Sequence, residues 1–287
     1  TDQTAEFYTL KSSNMNLIDF NDVTPGELIE PDRYASQGVY AYPSSDELIG
    51  SGSPCNGSFG IQTNPFTGPY FIFNFDNFIV SVSVEAGDGG PSDSDEMTLT
   101  AYSGLDGTGD VLGSATAYLA QGDPTGCELI ELTGLTGARS ITVKSVSFYD
   151  EDPYPNSIYI DNLYFESIEV TVDIKPGSYP NSINCMNDNA LIPVAILSTE
   201  DFDALTIDHT TVLFEGASEW HTNKMDGTLK RHEEDVNGDG LMDLVFHFKY
   251  METNLDCYST VGALIGQTYD GVYFNGEDEV MMFIPGE

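Results

Sequence analysis

Basic residues are what this sequence lacks most. Lys and Arg total 9 against 47 Asp and Glu, a formal net charge of −38 over 287 residues. Repulsion on that scale excludes nucleic acid and anionic membrane surfaces as partners. It favours divalent cations, cationic surfaces or a salty medium that screens the charge. Long apolar runs are also missing. None reaches the roughly 18 residues of a membrane span, so no membrane insertion is expected. The 4 cysteines form no C-x-x-C pair, which argues against structural zinc and against a redox dithiol. Catalytic signatures are absent as well: no G-x-S-x-G elbow, H-E-x-x-H, P-loop or dinucleotide fingerprint occurs. The histidines, His209, His221, His232 and His247, are dispersed, and none pairs at metal spacing on a helix. Trp220-His221 and Arg231-His232-Glu233-Glu234 read as strand-edge and loop residues. A glycosidase pair is defined by separation in space, but no aromatic-plus-carboxylate cluster marks one. No catalytic residue is nominated, and the chain is expected not to be an enzyme.

What is present centres on Asp235-Val236-Asn237-Gly238-Asp239-Gly240-Leu241-Met242-Asp243, a D-x-N-x-D-G-x-x-D pattern. A tight loop points side chains one, three and five inward, so Asp235, Asn237 and Asp239 supply hard oxygen ligands. Gly240 permits the sharp turn, the Leu241 carbonyl adds an oxygen, and Asp243 closes the shell. Hard oxygens in this pattern suit Ca²⁺. Phe246 stands where an EF-hand carries its bidentate Glu, and Leu244–Phe248 has strand character. The loop therefore resembles the shorter calcium loops of dockerins, thrombospondin type 3 repeats and integrin-type propeller blades. Without a metal it is an acidic Asx-rich turn.

Hydrophobic content of 40% and aromatic content of 11% provide for real cores, and the length suits two domains. Cys55 and Cys127 fall in the first half, Cys185 and Cys257 in the second. Three pairings are open; a two-domain division favours Cys55–Cys127 and Cys185–Cys257. Asn56-Gly57-Ser58 is a glycosylation sequon, with Asn56 as acceptor. The chain begins Thr1-Asp2-Gln3 without Met, so the expectation is a secreted, extracellular or cell-surface protein whose signal peptide has been removed.

From Met15 to about Glu166 short strands alternate with Gly, Pro, Asn and Asp. The clearest are 70–75, 78–84, 97–102, 111–118, 129–132, 141–148 and 158–165, and helical periodicity is absent. This pattern predicts a β-sandwich. Leu17-Ile18-Asp19-Phe20 with Pro25-Gly26, Met97–Tyr102 and Ile160-Asp161-Asn162-Leu163 resemble the jelly-roll-like sandwich of exported bacterial and archaeal proteins, some of them associated with PEP-CTERM sorting. Such sandwiches resemble carbohydrate-binding modules, which often hold a structural calcium between first and last strands. That resemblance makes Asp19 and Asp161 a candidate second metal pair. The acidic loops 88–96 and 150–153 are further candidates for a cation.

The second half carries a more specific resemblance. Asp173-Ile174-Lys175-Pro176-Gly177-Ser178, Ile192-Pro193-Val194-Ala195-Ile196-Leu197 and the Asp235–Asp243 loop together resemble a domain of secreted multi-domain surface proteins. The family implies a calcium-bearing extracellular β-domain without known catalysis. Ser198 is placed to cap one short helix, and Asp270-Gly271 and Asn275-Gly276 read as hairpin turns.

The expected architecture is all-β: an N-terminal arm over 1–14, a jelly-roll-like sandwich over 15–167 and a calcium-binding, Ig-like or jelly-roll-like β-domain over 168–287. The two domains are expected to abut, with at most one or two short helices. The first functional expectation is a non-catalytic, calcium-stabilised structural protein that self-associates as a surface, sheath or filament subunit. Thr4–Leu10 reads as a strand that an adjacent copy could accept. The alternative is a carbohydrate-binding accessory module or adhesin, with a glycan partner. For that alternative, Tyr34, Tyr40 and Tyr42 offer a sugar-stacking platform, whereas Tyr70, Phe71, Phe73 and Phe75 read as core.

Overall fold

The computed structural model describes residues 13–43, 48–52, 55, 59–63, 70–87, 93–122, 126–149, 152–155 and 158–285. The arm segment Thr4–Leu10, the sequon at Asn56–Ser58 and most of the two acidic loops lie outside these residues. Two compact units emerge, one spanning Met15–Ser167 and the other containing Ile168–Glu287. The protein is all-β, as its punctuated strand pattern predicts.

In the first unit the strands are β1 (Ser13–Ile18), β2 (Val39–Pro43), β3 (Leu48–Gly52), β4 (Phe59–Thr63), β5 (Tyr70–Gly87) and β6 (Ser94–Tyr102). They continue with β7 (Val111–Leu119), β8 (Cys127–Leu132), β9 (Ala138–Tyr149), β10 (Asp152–Pro155) and β11 (Tyr159–Ile168). Hydrogen bonding runs β3-β4-β11-β5-β9-β6-β7, with β1 added to β11, β2 and β8 to β5, and β10 to β9. Strand β5 belongs to two layers. Its first part pairs with β2 and β9, and its second part with β8 and β11. The register slips between Asn74 and Ile79, a bulge that bends the strand from one layer into the other. The runs 70–75 and 78–84, read separately from sequence, are thus one bent strand. A second irregularity lies between Glu166 and Ser167, opposite Ser81 and Ile79. It places Ile79 in the core and leaves Val80 half-buried, so strict alternation along 78–84, with Phe78, Val80, Val82 and Val84 on one side, breaks at Val80. Phe71, Phe73, Leu99, Ile141 and Val143 from one layer meet Val82, Val84, Ile130, Ile160 and Leu163 from the other in one buried core.

The second unit contains β12 (Thr171–Ile174), β13 (Ser182–Asn184), β14 (Leu191–Leu197), β15 (Ile207–Phe214) and β16 (Ala217–Ser218). Then come β17 (His232–Glu234), β18 (Asp243–Lys249), β19 (Val261–Thr268), β20 (Tyr273–Glu279) and β21 (Met281–Phe283). The unit has two four-stranded sheets, β12-β14-β18-β17 and β16-β15-β19-β20, and a separate parallel β13-β21 pair. Phe214 of one sheet meets Phe248 of the other with ring centroids 5.3 Å apart, inside a core of alternating apolar residues.

Helical content among the described residues is limited to 3-10 turns at Ala35–Gln37, Ala204–Thr206 and Tyr250–Glu252. The turn at Ala204 is capped by Asp203, which accepts from the Leu205 N–H, and not by Ser198. Ser198 instead accepts from Ala204 N and donates to the Met242 carbonyl. Asp270-Gly271 does turn the β19–β20 hairpin. Asn275-Gly276 does not turn; it lies within β20, paired with Ile265 and Leu264. Glycine is needed there for packing, because a Cβ on Gly276 would sit 2.6 Å from the Val170 carbonyl oxygen.

Candidate functional site

The Asp235–Asp243 segment joins β17 to β18, whose register pairs Glu234 with Asp243. The loop closes on its own acceptors. Asp235 Oδ1 accepts from Gly238 N at 2.7 Å and Asp239 N at 3.2 Å, and its Oδ2 from Gly240 N at 3.0 Å. Asn237 Oδ1 accepts from Asp239 N, and Asp239 Oδ1 accepts from Leu241 N at 2.8 Å. Gly238 and Gly240 have φ of +77° and +92°, which a side chain would strain. These bonds curl positions 235, 237 and 239 into one exposed loop. Asp243 departs from them. It is 0% exposed, and its oxygens accept from Val236 N at 3.0 Å and Ser198 N at 2.8 Å. The donor set is hard oxygen throughout and suits calcium. For both Asp239 oxygens to face an ion, the bond from Asn237 Nδ2 to Asp239 Oδ2 must give way.

In the first unit Asp161 is buried, and its Oδ1 accepts from Asn162 N at 2.8 Å. A carboxylate oxygen of Asp161, one of Glu85 and the Cys55 sulfur lie within 4.8 Å of one another; Asp19 is not part of this group. The exposed Asp19 accepts from Asn21 N in a local turn. Cys55 is bonded to Cys127, and Cys185 to Cys257, so the sulfur beside Asp161 is not a thiolate.

A broad polar face lies on the outer side of β2-β5-β9-β6-β7. Register places Tyr40 and Tyr42 opposite Asn74 and Ile72, and Tyr70 opposite Lys144. Lys144 and Thr142 face Thr98 and Thr100, which face Thr116 and Ser114; Tyr118 faces Glu96. The alternate residues of the same strands are core, so this face points outward. Lys144 Nζ sits 5.0 Å from the Tyr70 ring centroid. The β6–β7 connection folds against one end of the face: Asn74 Nδ2 donates to Asp106 at 2.7 Å, and Gly107 N donates to Ser140 Oγ. Tyr34 is not part of this face. It is 3% exposed, packs edge-on against Phe20 and donates to Asp22. Tyr70, read from sequence as core, belongs to the face instead.

The second unit also gathers His221, His232 and His247, which are dispersed in sequence. Ring nitrogens, one from each, lie within 4.8 Å of one another. His221 and His247 stack with centroids 4.3 Å apart, and His232 lies 5.5 Å from both. Burial and the two neighbouring rings hold His247 below the ordinary imidazole pKa. The sequence signal was strand parity. His232 faces Val245 across β17–β18, so His247, two residues further along, shares its side of the sheet.

No protein-family model matches the chain, and no curated protein matches it. Solved structures of similar fold include the K1 cleaved adhesin domain of Lys-gingipain from Porphyromonas gingivalis W83, at 10% identity and TM-score 0.34, covering 53% of this chain and 97% of that domain. The CBM22-1 xylan-binding domain of Paenibacillus barcinonensis Xyn10C is similar at 13% identity and TM-score 0.32, covering 54% of this chain and 95% of that one. TmCBM27, a carbohydrate-binding module described for mannan recognition, is similar at 15% identity and TM-score 0.29, covering 54% and 97%. At these identities the likeness concerns the β-sandwich fold alone.

Proposed function

We propose that the chain is a non-catalytic, secreted carbohydrate-binding protein whose first unit presents the tyrosine face to a neutral polysaccharide. The observation that carries this reading is the outward row of Tyr40, Tyr42 and Tyr70 beside Lys144, Thr98, Thr100, Thr116 and Tyr118. Tyrosines offer flat apolar surfaces with a polar tip, suited to the C–H faces of sugar rings. The flanking hydroxyls and the ammonium supply hydrogen bonds that fix orientation. The net charge of −38 disfavours acidic glycans. Solved domains of similar fold are named as an adhesin and as xylan- and mannan-binding modules; the reading for this chain rests on its own face. Calcium at Asp235–Asp243 stabilises the second unit in this proposal, and the two disulfides suit an oxidising compartment. Affinity electrophoresis against soluble xylan, mannan, galactan and β-glucan tests it. Retardation by at least one polysaccharide is expected, reduced by Tyr70→Ala and Tyr42→Ala. Equal mobility of both variants and the native protein in every gel refutes the face.

Self-assembly is a second reading, and β7 favours it. This nine-residue strand has a hydrogen-bonded strand on one side only among the described residues, and its sequence Val111–Leu119 carries neither charge nor proline. Natural edges are usually blunted by such residues. An incoming strand has an open ladder to join here.

A further inference from the structure

We propose that His221, His232 and His247 form a binding site for a divalent transition-metal ion of the zinc class, chemically distinct from the calcium loop. Three parts of the second unit deliver the ligands. His247 lies within β18, His232 opens β17, and His221 follows Trp220, whose N–H donates to the His247 carbonyl at 2.8 Å. Glu219 fixes two of the three. It is 4% exposed, and its carboxylate accepts from His221 N at 2.6 Å and from His247 N at 2.8 Å. A single buried side chain thus sets the backbone spacing between two imidazoles, which is the role of a positioning residue around a metal.

The unpaired nitrogens decide the chemistry. Nδ1 of His221, Nε2 of His232 and Nδ1 of His247 are each buried without a hydrogen-bond partner. An orphaned buried polar atom costs about 1–3 kcal/mol, and native proteins keep few of them. Three in one cluster, on rings whose nitrogens approach within 4.8 Å, is the arrangement a coordinated ion would satisfy at once. Imidazole is a borderline-soft donor. It selects zinc, copper, nickel or cobalt over the hard calcium that suits the oxygens of Asp235–Asp243. Three protein nitrogens leave at least one coordination position for water or a further ligand. The site and the loop share a hairpin: β17 and β18 carry two of the histidines, and the acidic loop connects those strands.

Zinc titration of the full, metal-stripped chain tests this, with calcium in millimolar excess to occupy carboxylates. Calorimetry should give one zinc per chain, and cobalt should give visible absorption of nitrogen coordination with the same stoichiometry. His221→Gln should weaken zinc by about 100-fold or more, since even outer partners of a metal site cost 10–100-fold. The double variant H232Q/H247Q should lose the stoichiometric event and keep its response to calcium. Should these variants fail to fold, histidine side-chain nitrogen NMR of the native protein decides. Zinc must then shift three histidines together and leave His209 unmoved. Zinc uptake undiminished in the folded double variant, or no histidine shift at one equivalent, overturns the proposal.

Discussion

Ser198 donates its backbone N–H to Asp243 Oδ1 at 2.8 Å, although 45 residues separate them. The bond ties the end of β14 to the start of β18, and the other Asp243 oxygen holds Val236 at the opening of the acidic loop. Asp243 is therefore a fold anchor before it is anything else. Asp243→Ala should cost about 3 kcal/mol even in chelator, because two backbone donors lose their acceptor in a largely buried place. Exposed Asp239 differs. Asp239→Ala should be within about 0.5 kcal/mol of native in chelator but lose up to about 2.7 kcal/mol at calcium a hundredfold above Kd. Melting curves of both variants with and without calcium check this. Equal loss by Asp239→Ala in the two conditions would remove calcium from the loop.

Each disulfide closes a separation of 72 residues within one half of the chain. On the chain-entropy estimate each contributes roughly 4 kcal/mol by restricting the unfolded state. Cys185→Ser with Cys257→Ser should lower the unfolding midpoint of the second unit and leave that of the first in place. Limited proteolysis during heating reports the two separately. Simultaneous loss of both units would show that they unfold as one.

The all-β architecture was legible because alternation and turn residues are local signals. β6, β7 and β9 fall within a few residues of the runs read from sequence. The phase break at Val80 and the bend in β5 were not legible, since bulges are set by pairing partners far along the chain. Likewise the spacing of the Asp235–Asp243 loop does not reveal that Asp243 also accepts from Ser198 N, 45 residues away. Tyr34 and Tyr40 look alike in sequence, yet Tyr34 is buried in the turn before Ala35–Gln37 whereas Tyr40 lies half-buried on the outward side of β2. The histidine cluster had the same obstacle: His221 joins it through a carboxylate clamp that no spacing rule encodes.

Asp173 is raised above the ordinary carboxylate 3.8, first by burial and then by the Asp278 charge. Asp278 is itself committed, accepting from Ile174 N and Asn181 Nδ2 at 2.9 Å each. A carboxyl whose folded pKa exceeds its unfolded one binds its proton more tightly when folded. Its effect is absent below the unfolded value, and stability falls as pH rises through the window above 3.8. Buried Asp95 is raised by the same first cause and adds to the slope. Asp173→Asn should therefore raise the melting temperature at pH 7 relative to native and flatten its decline as pH rises above the ordinary carboxylate range. A variant no more stable than native at pH 7 would mean solvent already screens the pair.

The proposed self-assembly can be tested on both of its sides. The open side of β7 offers backbone groups over Val111–Leu119, and its residues alternate between core-facing Ala115 and Ala117 and outward Ser114, Thr116 and Tyr118. Thr4–Leu10, read as a strand with Ala5, Phe7 and Thr9 on one side and Glu6, Tyr8 and Leu10 on the other, is the candidate donor; in strand addition main-chain bonds supply affinity and side-chain pockets set register. A contact of that kind is head-to-tail, so it propagates as a filament wherever rotation fails to close a ring. Deleting residues 1–12 should leave folded, disulfide-bonded monomers, and a peptide spanning the deleted segment should bind them. Thr116→Lys should also stop elongation, because a charge on the edge obstructs an incoming strand; Thr116 also belongs to the proposed sugar-binding face, so polysaccharide retardation is followed alongside. Sedimentation velocity over a concentration series distinguishes the outcomes. If the deletion variant still polymerises but Thr116→Lys does not, β7 accepts some other strand; if both still polymerise, strand addition at this edge is wrong.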